Sequence, residues 1–513
     1  MAIGAGVVWE IRTTATAGNV NSGGFDPTSA GTDYSQQDAS QYNATDLAST
    51  NGNTNPAVIT SASHSFVTAD EGNIINITAG TSWTVGRYKI VSTSGGAATL
   101  DRAVGTTATI SGGTYRVGGA LSLGNANDTT TLAAVAASNK IWIKSGTYTL
   151  GATLSGLVAG GTNGHTLLTG YTSSRSDSCL GVNRPILNLN TSANALPNNW
   201  RLSNLDMRLS SANNISVGTS VNFFNCRVLN SASSGCLSGS TGLKFINSEA
   251  YCNRSTCIIG TSGLFVFGSY IHGGTIGIST SALGMIVNSV FLSCATAISG
   301  DAVAIGNTIY GSERKYGTGV STSTGLVPVA LNNILYGLVT GITSATANQT
   351  GYENYNDYFN NTTDATNYIK GPNSIAINPG FTNMGEIVGT TATLSALVLT
   401  DSSANFTGVT DERDYVRILS GTGATAGYYR ITAHTLTTLT LEVTAGTNAT
   451  ADKAYQITVG RVFSIGTNLK AKGFPGTFPN CASTIAYTDI GAVQRQEPVA
   501  TIINTIAKTF IGG

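Results

Sequence analysis

The sequence predicts an all-β protein, in which a parallel β-helix of about 21 residues per coil carries two similar small antiparallel β-modules. Two observations lead to this prediction. A single Asn recurs about every 21 residues through the middle of the chain, with apolar residues on either side. A period near 20 without a helical pattern is typical of a solenoid whose repeats each form one coil. The second observation is a pair of segments, one toward each end, with matching strand and glycine patterns.

The recurring Asn defines one column of the predicted coils. Apolar residues stand two places before it and three places after it in nearly every coil, as expected for side chains that point into a core. Because coils stack about 4.8 Å apart, the Asn side chains would hydrogen-bond their own bends and one another, which is a structural role. The members of this predicted ladder are Asn204, Asn225, Asn247, Asn288, Asn307, Asn333 and Asn354, with Gly268 standing where a further Asn would fall.

The segments before the coils have a different composition. Residues 1–55 are polar and weakly periodic, which predicts an N-terminal arm that docks through its large aromatic residues, Trp9, Phe25 and Tyr34. Residues 56–120 alternate apolar and polar residues, as half-buried antiparallel strands do. This segment is the first copy of the β-module.

The predicted β-helix occupies residues 121–388, and the second module, at 389–460, is inserted near its end. Gly427–Ile431 of the second module matches Gly86–Ile90 of the first, which indicates a duplication. Residues 461–513 would close the last coil and form a tail. The tail has apolar residues at helical spacing. It is therefore predicted either to form a short docking helix or to cap the open end of the solenoid. These residues are Ile503, Ile506, Ala507, Phe510 and Ile511.

Composition narrows the classes of function. Charged residues are only 10% of the chain and 26 acids balance 26 bases, which gives no electrostatic case for nucleic acid or an anionic membrane as a partner. No apolar stretch is long enough for a membrane span, and the first residues lack the pattern of a signal peptide. The seven Cys follow no disulfide or zinc framework and there are only four His. We therefore expect no cofactor and synthesis in a reducing cytoplasm.

Short strings of sequence resemble known proteins. Gly146–Tyr148, Asn307–Tyr310, Asn332–Leu335 and Asn378–Phe381 resemble the pectin-lyase-like right-handed β-helix superfamily. With Trp9–Arg12, Gly31–Tyr34, Asp489–Arg495 and the two modules, the whole chain resembles β-helix virion proteins of tailed bacteriophages. The resemblance implies right-handed coils and a homotrimer that serves as a tail spike, a fibre or a capsid decoration. It also implies a family in which some members cleave polysaccharide.

A polysaccharide-cleaving site needs acidic residues on one face of the coils, and acids are sparse here. Between residues 161 and 385 they are Asp177, Asp206, Glu249, Asp301, Glu313, Glu353, Asp357 and Asp364. The best candidates are Asp206, Arg227 and Glu249, each two places after the Asn in successive coils. The two acids would lie about 9.6 Å apart, at the upper edge of the inverting range. Because the Arg should lower both acid pKa values, a surface ladder of alternating charge is the favoured interpretation.

A second candidate site is the aromatic and acidic stretch near residue 355. Tyr352, Tyr355, Asp357 and Tyr358 would suit a carbohydrate-binding surface, or a loop packed on a neighbour.

A candidate trimer interface follows Glu249 in the same outward column, where the next residues are Tyr270, Val290, Ile309 and Leu335. An apolar stripe of this kind would be buried by lateral association of solenoids. The assignment depends on which residues point outward, and a slip of one residue would reverse it.

The leading hypothesis is a non-enzymatic structural protein of a tailed-phage virion, a rigid trimer on the capsid surface or in the tail. It would be assembled in the host bacterial cytoplasm and attach to other virion proteins through the N-terminal arm or the C-terminal tail. The alternatives are a tail-spike depolymerase and an adhesin, both acting on host cell-surface polysaccharide. No nucleotide-binding loop, zinc-protease motif or nucleophile elbow is present.

Overall fold

A computed structural model of the chain describes residues 3, 6–16, 20–123, 135–150, 159–161, 164–175, 177, 183–189, 194–210, 213–232, 234–323, 329–347, 351–381, 384–460, 463, 467–469, 472–473 and 489–492. It is nearly all-β, with a β-solenoid of about 8 turns, about 22 residues per turn, and two small six-stranded antiparallel barrels. The predicted fold class is confirmed. The chain divides into two compact units, residues 1–249 and 250–513. The predicted tail, with Ile503, Ile506, Ala507, Phe510 and Ile511, lies outside the described residues.

The first unit contains a short 3₁₀ turn at Thr68–Asp70, one barrel and the first coils. Its strands are β1 (Val8–Ile11), β2 (Gly24–Phe25), β3 (Tyr42–Ser49), β4 (Val58–Thr60), β5 (Ile74–Ala79), β6 (Gly86–Ser94), β7 (Ala97–Leu100), β8 (Ile110–Val117), β9 (Lys140–Lys144), β10 (Thr147–Thr149), β11 (Thr166–Tyr171), β12 (Ile186–Leu189), β13 (Ala195–Leu196), β14 (Trp200–Ser203), β15 (Asp206–Leu209), β16 (Ile215–Val217), β17 (Asn222–Phe224), β18 (Arg227–Asn230), β19 (Leu237–Thr241) and β20 (Lys244–Ile246). Strand β21 (Glu249–Cys252) spans the boundary between the units.

The second unit contains the later coils, the second barrel and a 3₁₀ turn at Thr467–Leu469. Its strands are β22 (Thr256–Ser262), β23 (Phe265–Phe267), β24 (Tyr270–Gly273), β25 (Ile276–Val287), β26 (Val290–Leu292), β27 (Thr296–Ile305), β28 (Thr308–Tyr310), β29 (Thr318–Thr322), β30 (Val329–Leu331), β31 (Ile334–Tyr336), β32 (Thr340–Ser344), β33 (Tyr352–Asn354), β34 (Asp357–Phe359), β35 (Thr363–Thr366), β36 (Gly385–Ser395), β37 (Val398–Thr400), β38 (Tyr415–Ser420), β39 (Gly427–His434), β40 (Thr438–Leu441) and β41 (Lys453–Val459).

Apolar and polar residues alternate along the short strands of each coil, so the apolar side chains of one face of each strand fill the interior of the solenoid. In the first unit, Leu202 and Phe223 are opposite each other on the parallel strands β14 and β17, and both are fully buried. In the second unit, Val266 and Ile286 are paired and buried in the same way. Burial of side chains of this size contributes about 1.5–3 kcal/mol each, so the stacked interior columns hold the solenoid together.

The bend between the first and second strands of a coil requires a left-handed backbone conformation. In the first unit Asn204, Asn225 and Asn247 adopt it, with φ of 58°, 50° and 48°. Asn is tolerated there because its short polar side chain bonds locally. The Asn225 amide also donates to Asn204 Oδ1 at 2.7 Å, which is the predicted contact between coils. In the second unit the bend residues are Gly268, Asn288, Gly306, Asn332 and Tyr355, with φ between 49° and 64°.

The predicted Asn ladder is therefore misaligned in the last coils. Strand register pairs Ile305 with Leu331 and Leu331 with Asn354, so Asn354 stands one place before the bend. Asn307 and Asn333 stand one place after it, beyond Gly306 and Asn332. An alignment on Asn alone places these coils one residue out of register, because Gly306 occupies the left-handed bend position where earlier coils have Asn.

A second, buried amide ladder takes the place of the predicted one in these coils. The Asn307 amide donates to Asn333 Oδ1 at 3.0 Å, and the Asn333 amide donates to Asn356 Oδ1 at 2.9 Å. Asn356 in turn donates to Glu353 Oε1 at 2.6 Å. Glu353, one of the acids counted in the sequence, is thus the buried end of this ladder, where Tyr358 and Ser374 also donate to Oε1.

The two barrels share one strand order, β3-β4-β7-β6-β5-β8 in the first unit and β36-β37-β40-β39-β38-β41 in the second. This equivalence confirms the duplication. The first barrel begins at Tyr42, within the segment 1–55 that was predicted to be an arm. Strand β3 escaped prediction because only two of its eight residues, Leu47 and Ser49, are fully buried.

Equivalent positions of the two barrels attach them to the rest of their own unit. In the first barrel Arg87 donates to the Ser22 and Asn21 carbonyl oxygens at 3.1 and 2.9 Å. In the second barrel the matching residue is Tyr428, whose backbone N–H donates to Asn253 Oδ1 at 2.9 Å. Tyr428 also stacks on Tyr415, with ring centroids 5.2 Å apart. The equivalent position is thus a charged residue, Arg87, in the first barrel and an aromatic residue, Tyr428, in the second. In both barrels it contacts the rest of the same unit.

The N-terminal arm packs on its own chain. Strand β1 pairs in parallel with β9, placing Trp9 opposite Ile141, and the Trp9 indole N–H donates to Asn139 Oδ1 at 2.9 Å. Trp9, Phe25 and Tyr34, predicted as anchors for docking, are all buried within the first unit. Strand β1 of the predicted arm therefore pairs with the first coil instead of extending away from it.

Candidate functional site

The candidate catalytic residues form a neutralised charge ladder. Asp206 and Arg227 are register partners on β15 and β18, and Arg227 Nη1 lies 3.2 Å from Asp206 Oδ2. Arg227 Nε lies 2.9 Å from Glu249 Oε2, and Arg208 Nη2 lies 3.0 Å from Asp206 Oδ2. Both carboxylates are thus engaged by guanidinium groups within the ladder, as the favoured sequence interpretation expected.

The candidate carbohydrate-binding residues do not share one surface. Tyr352 is 63% exposed, whereas Asp357 and Tyr358 are buried. The Tyr358 hydroxyl points to the buried Glu353, at 2.9 Å from Oε1. Tyr355 occupies the bend, with φ of 56°. The stretch alternates between the inside and the outside of a coil, so proximity in sequence did not produce a shared surface.

The candidate trimer interface is corrected by strand register. Val290 pairs with Thr308 and Thr308 with Ile334, so Ile309 and Leu335 belong to the next column, which is interior and buried. The slip of one residue at Gly306 caused this error.

The outward column that remains is covered by the same chain. Tyr270 and Val290 pack against a cluster that contains Ile334, Tyr336, Phe381, Phe463 and Leu469. That side of the second unit is therefore not a free apolar stripe.

An apolar face lies instead on the first strands of the coils in the second unit, exposed at Met285 and Tyr352, buried at Leu331 and half-buried elsewhere. Register pairs Phe265 with Met285, Met285 with Val303, Val303 with Val329 and Val329 with Tyr352. Met285 is 44% exposed and Tyr352 is 63% exposed. We call the ten outward positions of these strands the apolar face: Phe265, Phe267, Met285, Val287, Val303, Ile305, Val329, Leu331, Tyr352 and Asn354. None of the ten is charged. These positions stand one and three places before the bend, whereas the predicted interface lay two places after the Asn.

Two glutamates, Glu313 and Glu386, are linked by hydrogen bonds where the second barrel begins. The Tyr310 hydroxyl and the Glu313 backbone N–H donate to Glu386 Oε1 at 3.1 and 2.9 Å. The Tyr336 hydroxyl donates to the Glu313 carboxylate, and the rings of Tyr310 and Tyr336 stack 5.0 Å apart. Burial, followed by the nearby glutamates, raises the pKa of both tyrosines, which keeps their hydroxyls protonated as donors. Glu386 lies just past the range searched for acids, and only the inserted barrel brings it beside the coil.

Asp357 lies buried beneath the segment that leads into the second barrel. Its Oδ1 accepts a hydrogen bond of 2.8 Å from the Ile377 N–H, while Oδ2 is buried without a partner among the described residues. Burial raises the pKa of Asp357 to about 7; the Ile377 N–H and Lys370 act against the rise and Asp364 adds to it.

Ionisation of the Asp357 carboxyl should therefore lower the free energy of unfolding as pH rises. A pKa above the unfolded value gives a stabilising contribution that is complete below about pH 4 and is lost as pH rises through about 7. The loss between pH 4 and pH 8 would be at most about 4 kcal/mol. We expect Asp357→Asn to abolish this pH dependence and to be more stable than the parent at pH 8, measured by urea unfolding. Asp301→Asn is the matched control. An unchanged pH dependence in Asp357→Asn would refute the assignment.

Two classes of site find no support in the described part of the chain. No group of three or more His, Cys, Asp or Glu side chains there is arranged to hold a metal ion. No helix among the same residues has the length and apolar character that a membrane crossing requires.

Comparison with known proteins finds no matching family model and no matching curated protein. Solved structures with some similarity are phage tailspikes. The tailspike gp49 of Pseudomonas phage LKA1 is 11% identical over 83% of each chain, with a TM-score of 0.16. Gp49 of Acinetobacter baumannii bacteriophage Fri1, a capsular polysaccharide depolymerase, is 9% identical over 63% of this chain and 80% of that one, with a TM-score of 0.20.

A third structure, Gp54 of Acinetobacter baumannii bacteriophage AP22 in complex with capsular saccharide, is 10% identical over 82% of this chain and 83% of that one, with a TM-score of 0.17. These identities and TM-scores are too low to transfer a function from those structures to this chain.

Proposed function

We propose that this chain is a structural protein of a tailed-phage virion whose β-helices associate side by side as a homotrimer. The observation that carries the proposal is the apolar face, five coils long and without a charged side chain. Exposed to water in a monomer, such a face marks an interaction surface. The family resemblance of the sequence, to pectin-lyase-like β-helices and to virion proteins, agrees with this role.

Rigidity of the β-helix would be the property on which its structural role in the virion depends. The buried amide ladder of Asn307, Asn333 and Asn356 and the stacked interior columns resist unfolding coil by coil. In the charge ladder, Asp206 and Glu249 form ion pairs with arginine side chains. This arrangement supports a non-enzymatic role. Attachment to other virion proteins would use the N-terminal arm or the C-terminal tail.

The test is to locate the protein on particles. Antibodies raised against the purified chain would be used for immunogold electron microscopy of phage released by the bacterium that encodes it. We expect label on the capsid or on the tail, and the position decides between decoration and tail protein. Particles that lack both label and peptides of this chain would contradict the proposal.

A second candidate function, degradation of host polysaccharide, is favoured by Glu313 and Glu386. Two carboxylates, each accepting a hydrogen bond from its own tyrosine hydroxyl, are the kind of groups that glycoside hydrolysis requires. Under this alternative, Glu313→Gln and Glu386→Gln would each reduce oligosaccharide release from host capsule by at least about 100-fold. Glu249→Gln, in the charge ladder, is the matched control. The absence of oligosaccharides from the parent protein would exclude this alternative.

A further inference from the structure

Two cysteines of the second unit lie in contact within one turn of the coil. Cys252 ends β21 and Cys257 is the second residue of β22, with four residues between them. Their Sγ atoms are 2.9 Å apart and both side chains are fully buried. An ordinary contact between carbon atoms is at about 3.5–4.0 Å. The separation is within about 1 Å of a disulfide bond, which is about 2.05 Å long.

We propose that Cys252 and Cys257 are a site of covalent modification, at which a disulfide forms when the chain meets an oxidant of the disulfide class. In the overall reaction each thiol loses its proton and one electron as the Sγ–Sγ bond forms. Oxidised glutathione takes up the two electrons and two protons and yields two molecules of the thiol. Attack proceeds through a mixed disulfide on one Cys, which the second Cys then resolves.

The other described cysteines each donate to a backbone carbonyl oxygen, as Cys252 and Cys257 also do, to Ser255 at 3.0 Å and to His272 at 3.5 Å. Cys226 and Cys236 each donate to a backbone carbonyl oxygen, of Phe224 and of Val228, both at 3.4 Å. Cys294 donates to the Leu292 carbonyl oxygen at 3.7 Å, and burial, with Cys252 nearby, raises its pKa well above the usual value. Among the described cysteines, Cys294 is therefore the rival partner for Cys252 that the experiment must distinguish. Because the thiols are buried, we expect reaction to be slow in the folded chain.

The location gives the disulfide a structural consequence. The turn that it would close carries Asn253 and Arg254. Asn253 Oδ1 accepts the Tyr428 N–H at 2.9 Å, and Arg254 donates to the Tyr429 hydroxyl. Both partners belong to the second barrel. Oxidation would therefore fix the turn that holds the barrel against the coil, and we expect hydrogen exchange at the Tyr428 amide to slow several-fold.

Trypsin provides a direct test because Arg254 lies between the two cysteines. The full chain, purified with reductant, would be incubated with oxidised glutathione, denatured, alkylated and digested without reduction. Cleavage after Arg254 converts the disulfide into a cross-link between peptides 245–254 and 255–314. We expect most of the chain to carry this cross-link and its thiol count in denaturant to fall by two.

Three variants separate the possible partners. The cross-link should persist in Cys294→Ala and in the control Cys226→Ala, and disappear in Cys257→Ala. Loss in Cys294→Ala with retention in Cys257→Ala, or no cross-link in the parent chain, would overturn the proposal. The thiol count of the parent keeps the test valid even where a variant fails to fold. Neither outcome bears on the proposed virion role.

Discussion

Replacing Met285 by Glu is expected to convert a trimer of this chain into a monomer. Met285 lies on the second of the five coils of the apolar face and is 44% exposed, so the substitution should change the stability of the isolated chain by about 0.5 kcal/mol or less. In an assembled trimer the new carboxylate would be buried without a partner, at a cost of several kcal/mol for each copy. The solution mass, measured by light scattering, would fall threefold.

Leu436→Glu is the matched control for that experiment. Leu436 is 56% exposed, and it lies in the β39–β40 hairpin of the second barrel, away from the apolar face. We expect this variant to keep the mass of the parent. A Met285→Glu protein that remains trimeric would show that the chains associate through another surface.

The second large effect is expected for Asn333→Ala, which interrupts the buried amide ladder. Asn333 donates to the Ala304 carbonyl oxygen at 2.9 Å as well as to Asn356, and its Oδ1 accepts from the Asn307 backbone N–H at 2.9 Å. The substitution leaves several buried polar groups without partners, and each costs about 1–3 kcal/mol. We expect the free energy of unfolding to fall by at least about 3 kcal/mol, measured by urea titration.

Asn188→Ala provides the comparison, because Asn188 is near the surface and makes one long contact, 3.3 Å to Thr149 Oγ1. Its substitution should change the free energy of unfolding by about 0.5 kcal/mol or less. Equal effects of the two substitutions would mean that the ladder contributes little to stability.

Periodicity in the sequence was sufficient for the fold because every coil must repeat the same inward columns. Periodicity was insufficient to predict which residues point inward in the last coils, because Gly306 takes the place of Asn at the bend and a buried Asn follows it. Gly and Asn both accept the left-handed conformation, so the identity of the residue does not fix the register. That single ambiguity moved Ile309 and Leu335 from the interior to a supposed surface.

The functional sites were harder to predict than the fold because they depend on contacts between distant segments. Glu386 meets Glu313 only because the inserted barrel begins beside the coil. Strand β1 joins β9 across the whole first barrel, which no local pattern in residues 1–55 indicates. The charge ladder of Asp206, Arg227 and Glu249 was predictable because it follows from the period of the coil alone.

The most direct test of the proposed account is the solution mass of the full chain by light scattering, at several concentrations. The proposed lateral association through the apolar face predicts a mass of three chains that persists on dilution. A mass of one chain across the same concentrations would contradict it.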